Sequence, residues 1–135
     1  MERRISKKIA VGNIFIGGDA PIAVQSMTNT RSEDFASTLG QIKKLQSVGC
    51  DVVRMACPTE DAANIFPLAK AEGVTIPMVA DIHFDYKIAL AALRAGADKI
   101  RINPGNIGES WKVEEVARAC KAAGVPIRIG VNGGS

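Results

Sequence analysis

The sequence predicts an α/β fold in which helices alternate with the strands of one parallel sheet. The first observation is a repeated sequence pattern, in which a predicted helix end is followed by glycine and then by an apolar strand. It occurs at Gly49, Gly73, Gly96 and Gly124. The second is the spacing of these glycines, 24, 23 and 28 residues, which is the length of one helix plus one strand. Glycine takes the left-handed conformation after a last helical turn at little cost. The third is a length of 135 residues with 47% hydrophobic side chains, enough for one packing unit.

The strands and helices follow in order along this repeat. Alternation around Gly12 and Asn13 predicts a small hairpin over 9–16. Helix starts are predicted by Thr30 with Glu33 in capping-box spacing, and then by Thr59, Asp85 and Ser110. Strands are predicted over 23–28, 51–56, 76–82, 99–103 and 126–131. Repeated β-α units with short turns require a parallel sheet with right-handed crossovers.

Two architectures fit this order, a doubly wound sheet and a β/α barrel. Arg101 and Asn103 share one face of their strand, while Ile100 and Ile102 share the other. A doubly wound strand is covered by helices on both faces and is apolar on both, whereas the inner face of a barrel can turn polar at its carboxyl end. We therefore expect part of a TIM barrel, about five strands of eight, with the doubly wound sheet as the alternative.

Charge and composition exclude several classes of function. Lys and Arg exceed Asp and Glu by three, and that excess lies in the first eight residues, so the remainder is neutral. Duplex nucleic acid needs a broad basic face, and a membrane span needs about 20 apolar residues, where the longest run is 88–93. Cys50, Cys57 and Cys120 show no metal-ligand spacing and the chain has one histidine. We expect a cytoplasmic protein with no nucleic-acid partner, no membrane contact, no disulfides and no metal site in this chain.

The polar inner face predicts an anion site at the carboxyl ends of the strands. Three inward arginines favour a small phosphorylated or diphosphorylated ligand, because a guanidinium matches phosphate oxygens. The alternative is that each arginine pairs with an inward acid and closes the core, and Asp81 is the inward acid that the pattern offers. The predicted inward residues are Arg54, Asp81, His83, Arg101, Asn103, Arg128 and Asn132.

His83 and Asp81 are the candidate catalytic pair. They lie two residues apart on one strand face, so Asp81 could orient His83 as a general acid, an anion donor or a metal ligand. The alternative is a histidine with a purely structural role.

Three long segments resemble a known family. VQSMTNT at 24–30, VADIHFDY at 79–86 and KIRINPGNIG at 99–108 closely resemble the amino-terminal barrel of the bacterial 4-hydroxy-3-methylbut-2-enyl diphosphate synthase family. GGDAPI at 17–22 and IRIGVNGGS at 127–135 extend the match over practically the whole chain.

The resemblance implies an oxidoreductase of the non-mevalonate isoprenoid pathway. Such an enzyme reductively opens 2-C-methyl-D-erythritol 2,4-cyclodiphosphate with two electrons from flavodoxin or ferredoxin. It implies that Arg54, Arg101, Asn103, Arg128 and Asn132 bind the cyclic diphosphate, with Asp81 and His83 supplying hydrogen bonds and protons. It also implies a 4Fe-4S cluster held by three cysteines and a glutamate of a separate carboxyl-terminal domain.

Residues 1–135 are expected to be an incomplete amino-terminal barrel domain, without that iron-sulfur domain. Five strands leave two open edges, so we expect a homo-oligomer that is inactive alone. Two other functions stay open: a pterin- or phosphate-binding barrel of the dihydropteroate synthase kind, and a non-catalytic assembly module.

Overall fold

The computed structural model describes residue 2 and residues 4–133. The last two residues of the 127–135 motif lie outside the described residues. Within them, five strands form one parallel sheet in the order β3-β4-β5-β6-β7, and two form a separate antiparallel hairpin, β1-β2. The strands are β1 Ile9–Val11, β2 Ile14–Ile16, β3 Gln25–Met27, β4 Val52–Ala56, β5 Met78–Ile82, β6 Lys99–Ile102 and β7 Ile127–Ile129.

Helices connect the strands of the sheet, and a 3₁₀ turn, Asp61–Asn64, precedes the second of them. The helices are α1 Phe35–Ser47, α2 Ile65–Ala71, α3 Tyr86–Ala95, α4 Pro104–Ile107 and α5 Ser110–Ala123. Ile42, Phe66, Ala89 and Val116 from these helices are fully or almost fully buried in the main core. Every strand of the sheet is thus followed or preceded by a helix that shields one of its faces.

The core confirms the predicted barrel architecture over the doubly wound sheet. Val53, Met55, Ile82, Ile100 and Ile102 all pack into the helix-covered core. Residues of the other parity, including Arg54, Asp81 and Arg101, stand outside that core. Strand order equals chain order from β3 to β7, with no reversal of the kind that a doubly wound sheet contains. Helices therefore cover one face, and the polar face is the one that points into a barrel.

Local capping agrees with the sequence at most helix ends. Gly49, Gly73, Gly96 and Gly124 all have positive φ, between 67° and 98°. Asp85 accepts from the backbone N–H of Lys87 at 2.9 Å, as its predicted cap role requires. Thr59 accepts from the N–H of Ala62 at 3.2 Å and so starts the 3₁₀ turn that leads to α2.

One predicted helix start is wrong in detail, and one short helix is unpredicted. The cap of α1 is Asp34, whose carboxylate accepts from Ser37 N–H at 3.2 Å, and not Thr30. The Thr30 hydroxyl lies 2.7 Å from that of Thr38 instead. The loop that follows β6 contains the short helix α4, which none of the predicted helix starts includes.

The hairpin lies at the amino ends of the sheet strands. A side chain at Gly12 would come within 3.0 Å of the Pro77 ring and 3.5 Å of the Asp98 carboxyl carbon, both near strand starts. Val11 is 1% exposed, so the hairpin inserts an apolar side chain there. The hairpin therefore covers the amino-terminal end and leaves the carboxyl-terminal end, where barrel enzymes bind ligands, to the polar residues. None of the helices described over residues 4–133 is long and apolar enough to cross a membrane.

Candidate functional site

Asp81 is the centre of the polar cluster on the inner face. It lies on β5 and is 2% exposed. Its Oδ1 accepts from Nη1 of Arg101 at 3.1 Å, and its Oδ2 lies 3.3 Å from Nε of Arg54. A buried carboxylate is stable when it is paired and hydrogen-bonded. Asp81 therefore holds two arginines from the strands on either side of its own.

Arg101 is fixed at several atoms. It is 9% exposed, and its Nη2 donates to the side-chain oxygen of Asn132 at 3.4 Å. The backbone of Gly130 passes so close that an added Cβ would lie 2.5 Å from Nε of Arg101. The guanidinium is therefore held between Asp81, Asn132 and the backbone that follows β7.

Arg54 is held more loosely than Arg101. Its Nη2 contacts the sulfur of Met27 on the neighbouring strand at 3.3 Å. Its Nε is near enough to Asp81 for an ion pair, but the geometry gives this buried N–H no hydrogen-bond partner among the described residues. The Arg54 side chain is 25% exposed, so part of its guanidinium is open to the inner face while its Nε is buried beside Asp81.

Arg128 lies next to Arg101 in the sheet, as its register partner on β7. It is exposed, whereas Arg101 is buried. Burial lowers the pKa of the nearby Lys99 ammonium, and the positive charge of Arg128 lowers it further. Among the described strand residues, three guanidinium groups thus share the inner face with the carboxylate of Asp81, and the excess of positive charge favours an anion.

Asn103 and His83 follow the strand ends. Asn103 is 1% exposed, and its side-chain oxygen accepts from Gly105 N–H at 3.1 Å, which starts α4. His83 is half-buried, and its ring lies 6.2 Å from that of Phe84 between centroids. The structure thus joins Arg54, Asp81, Arg101 and Asn132 by direct contacts and places Arg128 beside Arg101 in the sheet. Asn103 and His83 each lie one residue past the end of their strand.

Sequence reasoning missed two residues of this cluster. Met27 belongs to the VQSMTNT segment, but an apolar side chain next to an arginine carries no signal of its own. Gly130 lies in the predicted strand 126–131, where a glycine indicates a close approach of another group; in the structure it follows β7 directly, and that group is the Arg101 side chain.

The cysteines do not fit an iron-sulfur cluster. Cys50, Cys57 and Cys120 are all buried free thiols, and residues 4–133 contain no group of three His, Cys, Asp or Glu that could hold a metal. Burial raises the pKa of the Cys57 thiol to about 12, helped by the negative charge of Glu33. Burial also raises the pKa of Cys120. Burial thus disfavours the thiolate, the reactive form, at Cys57 and Cys120.

The fold is similar to that of a solved dihydropteroate synthase from Xanthomonas albilineans, in complex with indole-2-carboxylic acid and 6-chloroguanine. The TM-score is 0.61 at 16% sequence identity, over 89% of this chain and 48% of that one. At this identity the likeness shows the fold alone.

The sequence comparisons are more specific. The chain is 58% identical over its whole length to a 4-hydroxy-3-methylbut-2-en-1-yl diphosphate synthase (flavodoxin) of Symbiobacterium thermophilum, and 56% identical to that of Actinobacillus pleuropneumoniae serotype 5b. The enzyme of the same name from Macrococcus caseolyticus is 53% identical over 133 residues. The chain spans 36% of the length of each of these relatives. A family described as the GcpE TIM-barrel domain matches residues 6–135. As the sequence motifs predict, the chain belongs to the GcpE TIM-barrel family.

Proposed function

We propose that this chain forms the diphosphate-binding part of an enzyme that reductively converts 2-C-methyl-D-erythritol 2,4-cyclodiphosphate to 4-hydroxy-3-methylbut-2-enyl diphosphate. The observation that carries the proposal is that Arg54 and Arg101 both form ion pairs with the same carboxylate, that of Asp81. Arg128 is the register partner of Arg101 on the next strand. One carboxylate cannot neutralise three guanidiniums, so the inner face keeps positive charge for an anion. The names of the relatives supply the chemical identity of that anion, a diphosphate.

Each residue has a proposed role that follows from its position. Arg128 and the partly exposed guanidinium of Arg54 bind phosphate oxygens, and Arg101 presents its guanidinium from a fixed place. Asn103 and Asn132 add hydrogen bonds at the strand ends. Asp81 keeps the arginines in position, and with His83 it forms the proposed catalytic pair, in which His83 supplies a proton to the ring that opens.

The electron transfer of the reaction takes place outside these 135 residues. A 4Fe-4S cluster would supply the electrons in the whole enzyme, with flavodoxin or ferredoxin as donor, and the thiols described above do not fit it. The relatives are named for flavodoxin. We therefore propose that the 135 residues bind substrate but do not turn it over alone. A cytoplasmic location and the lack of nucleic-acid and membrane partners stay predictions.

The two outer strands support the predicted homo-oligomer. Ile22 and Val24 beside β3 are 73% and 60% exposed, and Ile129 and Val131 at β7 are 54% and 72% exposed. Apolar residues next to unpaired strand edges favour association. Light scattering is expected to give a mass above that of one chain, and a monodisperse monomer would contradict this part of the proposal.

Titration calorimetry tests the binding function. We expect the chain to bind the cyclic diphosphate and to bind a pterin diphosphate at least about tenfold more weakly, a difference of about 1.4 kcal/mol. Equal or tighter binding of the pterin would favour a function of the dihydropteroate synthase kind. Failure to bind either diphosphate would overturn the proposal, and a non-catalytic assembly module would then be the remaining alternative function.

A further inference from the structure

The space beside the Cα atom of Gly130 is occupied by the guanidinium of Arg101. A Cβ at this position would lie 2.5 Å from Nε, 2.6 Å from Nη2 and 2.9 Å from Cζ of Arg101. These three atoms belong to one rigid planar group. A methyl group could not be accommodated by rotating one atom away, so the whole guanidinium would have to move.

The guanidinium has little freedom to move without losing its partners. Its Nη1 is 3.1 Å from Oδ1 of Asp81, and its Nη2 is 3.4 Å from the side-chain oxygen of Asn132. Only 9% of Arg101 is exposed. A shift of about 1 Å, which a new methyl group demands, is large compared with the narrow range of hydrogen-bond distances, so it would disturb the contacts with Asp81 and Asn132.

The backbone does not explain why glycine stands here. Gly130 is absent from the glycines with positive φ, so its conformation is open to any residue. Its N–H donates to the carbonyl of Ile102 at 2.9 Å and extends the pairing of β6 with β7. What glycine provides at position 130 is therefore the absence of a side chain.

We propose that Gly130 is a positioning residue, which sets the place of the Arg101 guanidinium and through it the affinity of the site for the diphosphate. Gly130 does this by letting the guanidinium lie flat against its backbone while Asp81 and Asn132 hold the nitrogen atoms. The inference rests on the proposed function for its consequence on binding, but its structural part concerns Arg101 alone.

The test compares Gly130→Ala with Gly133→Ala. Gly133 lies three residues further on, has no positive φ, and no atom of the described residues lies within 4 Å of where its Cβ would be, so it is a matched control. Calorimetry with the cyclic diphosphate should show binding weakened about tenfold or more by Gly130→Ala, since a misplaced binding group costs up to about 100-fold. Gly133→Ala should stay within about twofold. Equal effects of the two substitutions would overturn the inference.

A second comparison isolates the route through Arg101. In an Arg101→Lys background the planar group is gone, so Gly130→Ala should weaken binding by less than about twofold further. If Gly130→Ala weakens binding in the Arg101→Lys background as much as it does in the wild-type chain, the inference is contradicted. If Gly130→Ala alone fails to fold, recovery of folding in the double variant supports it, and continued failure overturns it.

The Nε–H signal of Arg101 in the NMR spectrum separates this inference from the proposed function. Gly130→Ala should shift that signal, and Gly133→Ala should leave it in place. If the wild-type chain does not bind the diphosphate, the proposed function fails while the shift still decides whether Gly130 positions Arg101. An unchanged signal in Gly130→Ala would overturn the positioning role.

Discussion

Asp81 and Arg101 are direct register partners on the parallel strands β5 and β6, and their side chains meet in an ion pair of 3.1 Å. Partners in one row of a sheet point to the same face, so strand parity puts both side chains on the inner face and the register of β5 with β6 makes them neighbours. The buried carboxylate also faces Arg54 from the opposite neighbour. Asp81 thus neutralises part of the positive charge of the arginines, which would otherwise repel one another. The remaining positive charge is available to an anionic ligand.

Asp81→Asn should destabilise the fold strongly. The amide keeps the shape of the side chain but leaves two arginines without their counter-charge, and breaking a buried pair costs about 3–5 kcal/mol. Urea unfolding followed by circular dichroism measures the difference. Glu115→Gln is the matched control, because its ion pair with Arg118 is exposed and such pairs contribute about 0–1 kcal/mol. Equal losses for both variants would contradict the central role of Asp81.

Alanine should have opposite effects at two glycines with open space around them. Gly40 lies inside α1, where Gly→Ala stabilises a helix by about 0.5–1 kcal/mol. Gly124 ends α5 with a φ of 67°, so alanine there should destabilise by about 1 kcal/mol. The urea concentration at the unfolding midpoint should be higher than that of wild type for Gly40→Ala and lower for Gly124→Ala. A stabilising Gly124→Ala would contradict the role of the repeated glycines as helix ends.

Ser37→Ala should raise the pKa of Asp34 toward its ordinary value of 3.8. The largest cause of the lowered pKa is the hydrogen bond from the Ser37 hydroxyl, 2.9 Å from Oδ2. A lowered folded-state pKa means that the carboxylate stabilises the fold above pH 3.8 and that this contribution disappears as the pH falls through the folded value. NMR titration of the carboxyl carbon measures it. Ser47→Ala, at the other end of α1, should leave the Asp34 titration unchanged.

The thiol of Cys57 should be inert in the folded protein. Its pKa of about 12 leaves almost no thiolate at pH 8, and its side chain is buried. A colorimetric thiol reagent should react with it quickly only after unfolding in urea. Ser47→Cys, on the exposed side of α1, provides a reactive reference in the same chain. Reaction of Cys57 in the folded protein at the rate of this reference would show that the thiol is available, contrary to this expectation.

The sequence predicts the strands and the inner face because both depend on local rules. Alternation in 99–103 places Arg101 and Asn103 opposite Ile100 and Ile102, and in the structure the two isoleucines belong to the helix-covered hydrophobic core while Arg101 faces the polar cluster. Helix ends at Gly49 and Gly96 follow from glycine's conformational freedom in the same way. The cap of α1 is harder to predict from the sequence, because Thr30 and Asp34 both satisfy local capping rules and tertiary contacts decide between them.

The internal geometry of the site depends on contacts between distant segments. No local pattern indicates that Arg101 lies against Gly130, or that Arg54 contacts Met27, since these pairs are 29 and 27 residues apart. The short helix α4 was missed because Pro104 and Gly105 are typical of turns, while the Asn103 cap and a proline in the first helical turn also start a helix.

The central claim is that the arginines of the inner face form one anion site, and Arg128→Met tests it most directly. Arg128 is exposed and has no carboxylate partner among residues 4–133, so its loss should spare the fold. Arg118→Met, on the outer helix α5, removes the same charge away from the site. Calorimetry should show binding of the cyclic diphosphate weakened about tenfold or more by Arg128→Met, the loss of one charge-assisted contact, and unchanged by Arg118→Met. Equal affinities of the two variants would contradict the claim.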